Sequence, residues 1–129
     1  MNQDTKPSSI LVVDDDQQLC DVLAEILTET GYVVQCAYDG EAAWMEIQAR
    51  SPDLVLSDIT MPRLDGVSLA LRLAETGSGL PIILMSAGPK DAAAVNAAFV
   101  GKPFAMDVLL ACIARTLEET DPARPLAPP

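Results

Sequence analysis

The 129-residue chain contains no histidine. That absence excludes metal sites built on imidazole, and nucleophile pairs in which histidine activates a serine or cysteine, because the base is missing. Aromatic residues make up only 4% of the chain against 50% hydrophobic residues, so a core has to be assembled from Val, Leu, Ile, Ala and Met. No apolar run approaches the roughly 20 residues that span a bilayer. The start, Met1 to Ser9, is polar and lacks the apolar stretch of a signal peptide. The expectation is a soluble, cytoplasmic protein with no membrane partner. Cysteine is sparse too: Cys20, Cys36 and Cys112 form an odd set with no C-x-x-C spacing, and each falls in a predicted helix or strand, where a free thiol acts as a small buried hydrophobe. Basic residues number 8 against 19 acidic ones, for a net charge of -11. Such a surface repels nucleic-acid phosphates, so no direct nucleic-acid partner is expected.

What is present is enough chain for one domain with a real core. Ile10 to Val13 is a continuous apolar run of the kind that forms a buried parallel strand. Leu19, Val22, Leu23, Ile26 and Leu27 then recur at helical spacing until Gly31 stops the pattern, predicting a first helix from about Asp16 to Thr30. Tyr32 to Ala37 reads as a second strand. Asp39-Gly40 turns the chain into a second helix, Glu41 to Arg50, whose apolar face is Ala43, Trp44 and Ile47; Trp44 is read as core packing. Leu54 to Ser57 is the third strand, and a loop through Pro62 and Asp65-Gly66 leads to a third helix carrying Val67, Leu69, Ala70, Leu71 and Leu73. Pro81 to Met85 and Ala98 to Gly101 are strands four and five. A last helix, Phe104 to Glu119, is expected to face Val108, Leu109, Cys112, Ile113 and Leu117 inward. Strand-then-helix alternation predicts a doubly wound α/β domain over residues 9–119. A flexible segment, 1–8, would precede it and a Pro-rich tail, 120–129, would follow.

Four of these strands end on chemistry. The first runs into Asp14-Asp15-Asp16, the third into Asp58, the fourth into Ser86 and the fifth into Lys102-Pro103. In an open parallel sheet such ends line one edge, where ligands bind. Crowded carboxylates raise one another's pKa unless a cation is present, and magnesium prefers a few hard oxygens with room left for a phosphate. The plainer reading is that the aspartates cap the first helix, yet Asp16 alone would suffice for that. The pocket therefore reads as a site for a divalent cation and a phosphoryl group.

The chain at this point resembles the receiver domain of two-component response regulators, over about Ser9 to Glu119. The resemblance is carried by Val12-Val13-Asp14-Asp15, by Ser57-Asp58 with Met61-Pro62 and Asp65-Gly66 after it, by Ser86-Ala87, and by Lys102-Pro103-Phe104. It implies a five-stranded parallel sheet of order 2-1-3-4-5, helices on both faces, and a stand-alone signalling module rather than an enzyme. It further implies that Asp58 is the phosphoacceptor. Asp15 and Asp58 would ligate magnesium, or manganese in its place, together with the Thr60 main-chain carbonyl, with Asp14 acting mostly through water. Lys102 would pair with phosphoryl oxygens, Ser86 would donate its hydroxyl to one, and Phe99 would stand at the aromatic switch position, where a plain core role is an equal reading. The Lys102-Pro103 bond would be cis. The implied partners are a histidine kinase or histidine phosphotransfer protein as donor, since this chain has no histidine of its own, and an unidentified downstream protein.

The pattern departs from the family between Ser86 and Lys102, which is short for a receiver and lacks the usual Gly-Ala pair, so a truncated fourth helix is expected there. An alternative class is a magnesium-dependent phosphohydrolase with an Asp nucleophile. Such enzymes use a second Asp two residues on as acid and base, and here that position is Thr60. A flavodoxin-like cofactor carrier fits less well, because Asp14-Asp15-Asp16 is hostile to a phosphate without metal.

Overall fold

The structure is a computed structural model, and it describes residues 7–61, 64–86 and 98–120. The elements in chain order are β1 (Ser9–Val13), α1 (Gln17–Thr30), β2 (Val33–Ala37), α2 (Gly40–Ala49), β3 (Leu54–Asp58), α3 (Gly66–Thr76), β4 (Ile82–Ser86), β5 (Ala98–Gly101) and α4 (Met106–Thr120). All five strands are parallel, in the order β2-β1-β3-β4-β5. The register aligns Val13 with Ser57, Asp58 with Met85, and Ser86 with Gly101, so the residues after each strand emerge along one edge.

Successive strand residues face opposite sides of a sheet, and this one is apolar on both. Ile10, Val12, Leu54, Leu56, Ile83 and Met85 pack with Leu23 and Leu27 of α1 and Leu109 and Ile113 of α4. Leu11, Val13, Val55 and Leu84 face the other way, against Ala43 and Ile47 of α2 and Leu69 and Leu73 of α3. Two helices thus cover each face, which is why the central strands read as unbroken apolar runs rather than alternating ones.

Each helix that follows β1, β2 and β3 starts on an aspartate. Asp16 accepts from the amides of Gln18 and Leu19, Asp39 from Ala42, and Asp65 from Ser68. These are N-caps, each of which typically stabilises a helix by about 1 kcal/mol. Gly31 ends α1 at φ 117°, with its amide turned back to the carbonyls of Leu27 and Thr28, a conformation that favours glycine.

Several sequence expectations need correction. Val108 is 57% exposed, not inward-facing, and Val22 and Leu71 are also largely exposed. Cys20 and Cys112 are buried as expected, but Cys36 is only half-buried on an edge strand. The core reading of Phe99 fails, since it is 43% exposed on edge strand β5. The expected truncated fourth helix, between β4 and β5, lies outside the described residues, as do most of the segment 1–8 and the tail beyond 120. No described helix is long and apolar enough to cross a membrane.

Candidate functional site

The strand edge brings Asp14, Asp15, Asp58 and Lys102 together. One carboxylate oxygen from each aspartate can be chosen so that all lie within 4.8 Å of one another. Into this cluster β5 delivers Lys102, whose Nζ lies 3.0 Å from Asp14 Oδ2 and 3.3 Å from Asp58 Oδ1. A single cation thereby bridges two carboxylates that would otherwise repel.

Asp14 is the most enclosed member, at 1% exposure. Its Oδ1 accepts from the Asp16 amide at 2.9 Å and its Oδ2 from Lys102. Its amide donates to the Ala37 carbonyl, and its own carbonyl accepts from the Cys20 thiol at 3.3 Å. Burial, with Cys36 and Asp14 nearby, pushes the Cys20 thiol up to about 12, so it serves as a protonated donor. Asp15 points outward and is exposed. Asp16 is turned away into its cap.

Asp58 closes β3 in a half-open position. Burial raises its pKa above the usual carboxylate range and Asp14 adds to the rise, while Lys102 and the Ile59 amide pull the other way. For Lys102, burial favours the neutral amine, but the hydrogen bond and charge of Asp14, with those of Asp58, win and raise its pKa. The site thus holds a firmly charged lysine and a carboxylate whose ionisation is held back by its surroundings.

The remaining expected residues fall nearby. Ser86, buried at the end of β4, offers its carbonyl to the Lys102 amide at 2.6 Å, tying the two strand ends together. Thr60 is exposed in the bend immediately after β3. Phe99 stands apart from the carboxylates, bordering a surface groove with Pro103, Val108 and Arg115. The Lys102-Pro103 bond is cis, as the resemblance implied. Sequence reasoning gave no site role to Ser57, whose hydroxyl donates to the Asp58 carbonyl at 2.8 Å, or to Cys20. A lone hydroxyl inside the run Leu54 to Leu56 and Asp58 was the available signal for the first.

The donor set suits a hard divalent ion: oxygens only, few of them, on a side open to water through Asp15. It offers nothing soft enough to select copper or a thiolate-bound zinc.

Comparison with known proteins agrees with this geometry. Residues 10–114 match the response regulator receiver domain family. The response regulator MprA of Mycolicibacterium vanbaalenii is 38% identical over 124 residues, which is 90% of this chain and 53% of MprA. The chain therefore spans about half the length of the curated relatives it matches. The receiver domain of the Francisella response regulator 1452 superposes with a TM-score of 0.83 at 27% identity, over 88% of this chain and 99% of that one. The receiver domain of NtrX from Brucella abortus gives 0.78 at 34% identity, over 84% and 98%.

Proposed function

The chain belongs to the response regulator receiver domain family of two-component systems, and we propose that Asp58 is its phosphoacceptor. The donor is a phosphohistidine on a histidine kinase or a histidine phosphotransfer protein. A carboxylate oxygen of Asp58 attacks phosphorus, the phosphorus–nitrogen bond breaks, and the imidazole departs with a proton. The observation that carries this reading is the placement of Lys102 Nζ within reach of both Asp14 and Asp58, where a transferred group would meet a fixed positive charge.

Lys102 lowers the cost of ionising Asp58, which burial opposes, and so keeps the nucleophile charged. As the phosphoryl group arrives, the ammonium shifts from the carboxylates to the new oxygens. Ser86 donates its hydroxyl to one of these oxygens, and Phe99 responds on the exposed side of β5. Magnesium, or manganese in its place, would be held by Asp15 and Asp58 with the Thr60 carbonyl, and by Asp14 through water; it would neutralise charge on the phosphoryl oxygens. The resulting surface change selects a downstream protein rather than driving turnover of a substrate. Three free cysteines suit a reducing compartment such as the cytoplasm.

Intact-mass spectrometry after incubation with a small acyl phosphate and magnesium tests the assignment. The wild type gains one phosphoryl group and Asp58→Asn gains none; an equal gain on the variant refutes it.

A further inference from the structure

The Asp58 carbonyl oxygen is held from two sides. On one, the fully buried Ser57 donates its hydroxyl to it at 2.8 Å. On the other stands Gly66, the first residue of α3, whose amide donates to the Ile59 carbonyl at 2.8 Å. A Cβ built on Gly66 would overlap the Asp58 carbonyl oxygen and lie 3.0 Å from Ile59 Cα and 3.1 Å from the Asp58 carbonyl carbon.

Gly66 is not among the glycines with positive φ, which among the described residues are Gly31, Gly77 and Gly79. Its backbone conformation is open to any residue, so what demands glycine is contact, and the contact is with the main chain of Asp58. Main chain cannot swing aside as the end of a flexible side chain does. A methyl group there has to push the end of β3 and the start of α3 apart.

We infer that Gly66 and Ser57 are positioning residues for the phosphoacceptor: together they fix the Asp58–Ile59 peptide plane, and through it the reach of the Asp58 carboxylate to Asp14 and Lys102. This rests on Asp58 being the phosphoacceptor. The amide side of that peptide is set by strand pairing, since Asp58 aligns with Met85 and the Ile59 amide donates to the Met85 carbonyl. On the carbonyl side stand the serine hydroxyl and the glycine. The carboxylate sits at the end of that plane, so a shift of the plane carries it away from Lys102. Misplacing a reacting group by about 1 Å costs on the order of 100-fold in rate.

The experiment measures the rate of phosphorylation by acetyl phosphate, at a temperature where every variant is folded, for wild type, Gly66→Ala, Ser57→Ala, Asp58→Asn and Leu27→Ala. Leu27, buried in α1 away from Asp58, supplies a protein destabilised by an ordinary core cavity. Gly66→Ala is expected to lose on the order of 100-fold in rate, Ser57→Ala a smaller but measurable factor, and Leu27→Ala none. If Gly66→Ala does not fold, Ser57→Ala decides. A wild-type rate in either folded variant, or an equal loss in Leu27→Ala, overturns the inference. Phosphorylation of Asp58→Asn would instead overturn the assignment of Asp58 beneath it.

Discussion

Replacing Lys102 by methionine keeps the length of the side chain and removes the cation that bridges Asp14 and Asp58. At 3.0 and 3.3 Å, with an effective dielectric constant near 20, each attraction is about 5 kcal/mol gross. The two carboxylates, with oxygens no more than 4.8 Å apart, repel by at least about 3 kcal/mol on the same scale. Desolvation cancels most of the attraction. What survives is bracketed by about 0–1 kcal/mol for an exposed pair and about 3–5 kcal/mol for loss of one partner from a buried pair. Asp14 is buried while the Lys102 side chain is 22% exposed, so the expected loss in metal-free protein is about 2 kcal/mol. A divalent cation would relieve the same repulsion, so magnesium should restore more stability to Lys102→Met than it adds to wild type. Urea unfolding at graded magnesium concentrations, with m-values compared to exclude a change in the unfolded state, is the assay. Equal stability of the two proteins in chelator, or an equal magnesium increment in both, would refute the account of Lys102 as an internal counter-ion.

Two further predictions concern pH, both in metal-free protein. Because the Asp58 pKa is raised in the fold, the folded state holds its proton after the unfolded state has released it, and stability falls as pH climbs from the unfolded value near 3.8 through the folded one. Asp58→Asn should therefore match wild type in acid and exceed it at neutral pH; a constant offset across the range would contradict this. For Cys20 the unfolded thiol ionises near 9.0 and the folded one near 12, so wild type should lose stability across that interval while Cys20→Ser, which keeps a donor for the Asp14 carbonyl, loses less. Parallel alkaline profiles for the two proteins would show that the thiol is not responsible.

The central strands were legible because both sheet faces are covered, leaving Ile10 to Val13, Leu54 to Leu56 and Ile82 to Met85 without a polar break. Helix ends were legible where glycine or aspartate carried the signal, as at Asp16 and Gly31. The inward faces were harder. In α4, Leu109, Cys112 and Ile113 are buried at the i, i+3, i+4 spacing, and Val108 lies one residue to the side, about 100° around the helix, where the sheet no longer reaches. Apolar spacing does not report how wide the covered face is. The same limit applies to Phe99: β5 is an edge strand, so a large apolar residue there need not be enclosed. Gly66 illustrates another limit, because its requirement comes from the Asp58 backbone rather than from a turn that its neighbours announce.

Three consecutive aspartates at 14–16 look redundant as a string, and the fold explains why they are not. A strand turning into a helix points successive side chains in different directions. Asp14 still follows the pleat of β1, so it is driven under the strand edge, where only a group with full partners survives burial; the Asp16 amide and Lys102 provide them. Asp15 falls on the open side, exposed to water yet close enough to share the cluster with Asp58. Asp16, first to adopt the approach to α1, spends its carboxylate on the amides of Gln18 and Leu19. Capping and the carboxylate cluster therefore do not draw on the same residue. Asp16→Ala should weaken α1 while leaving the Asp14, Asp15 and Asp58 oxygens in place, whereas Asp15→Asn should alter the proposed cation site while leaving the cap intact.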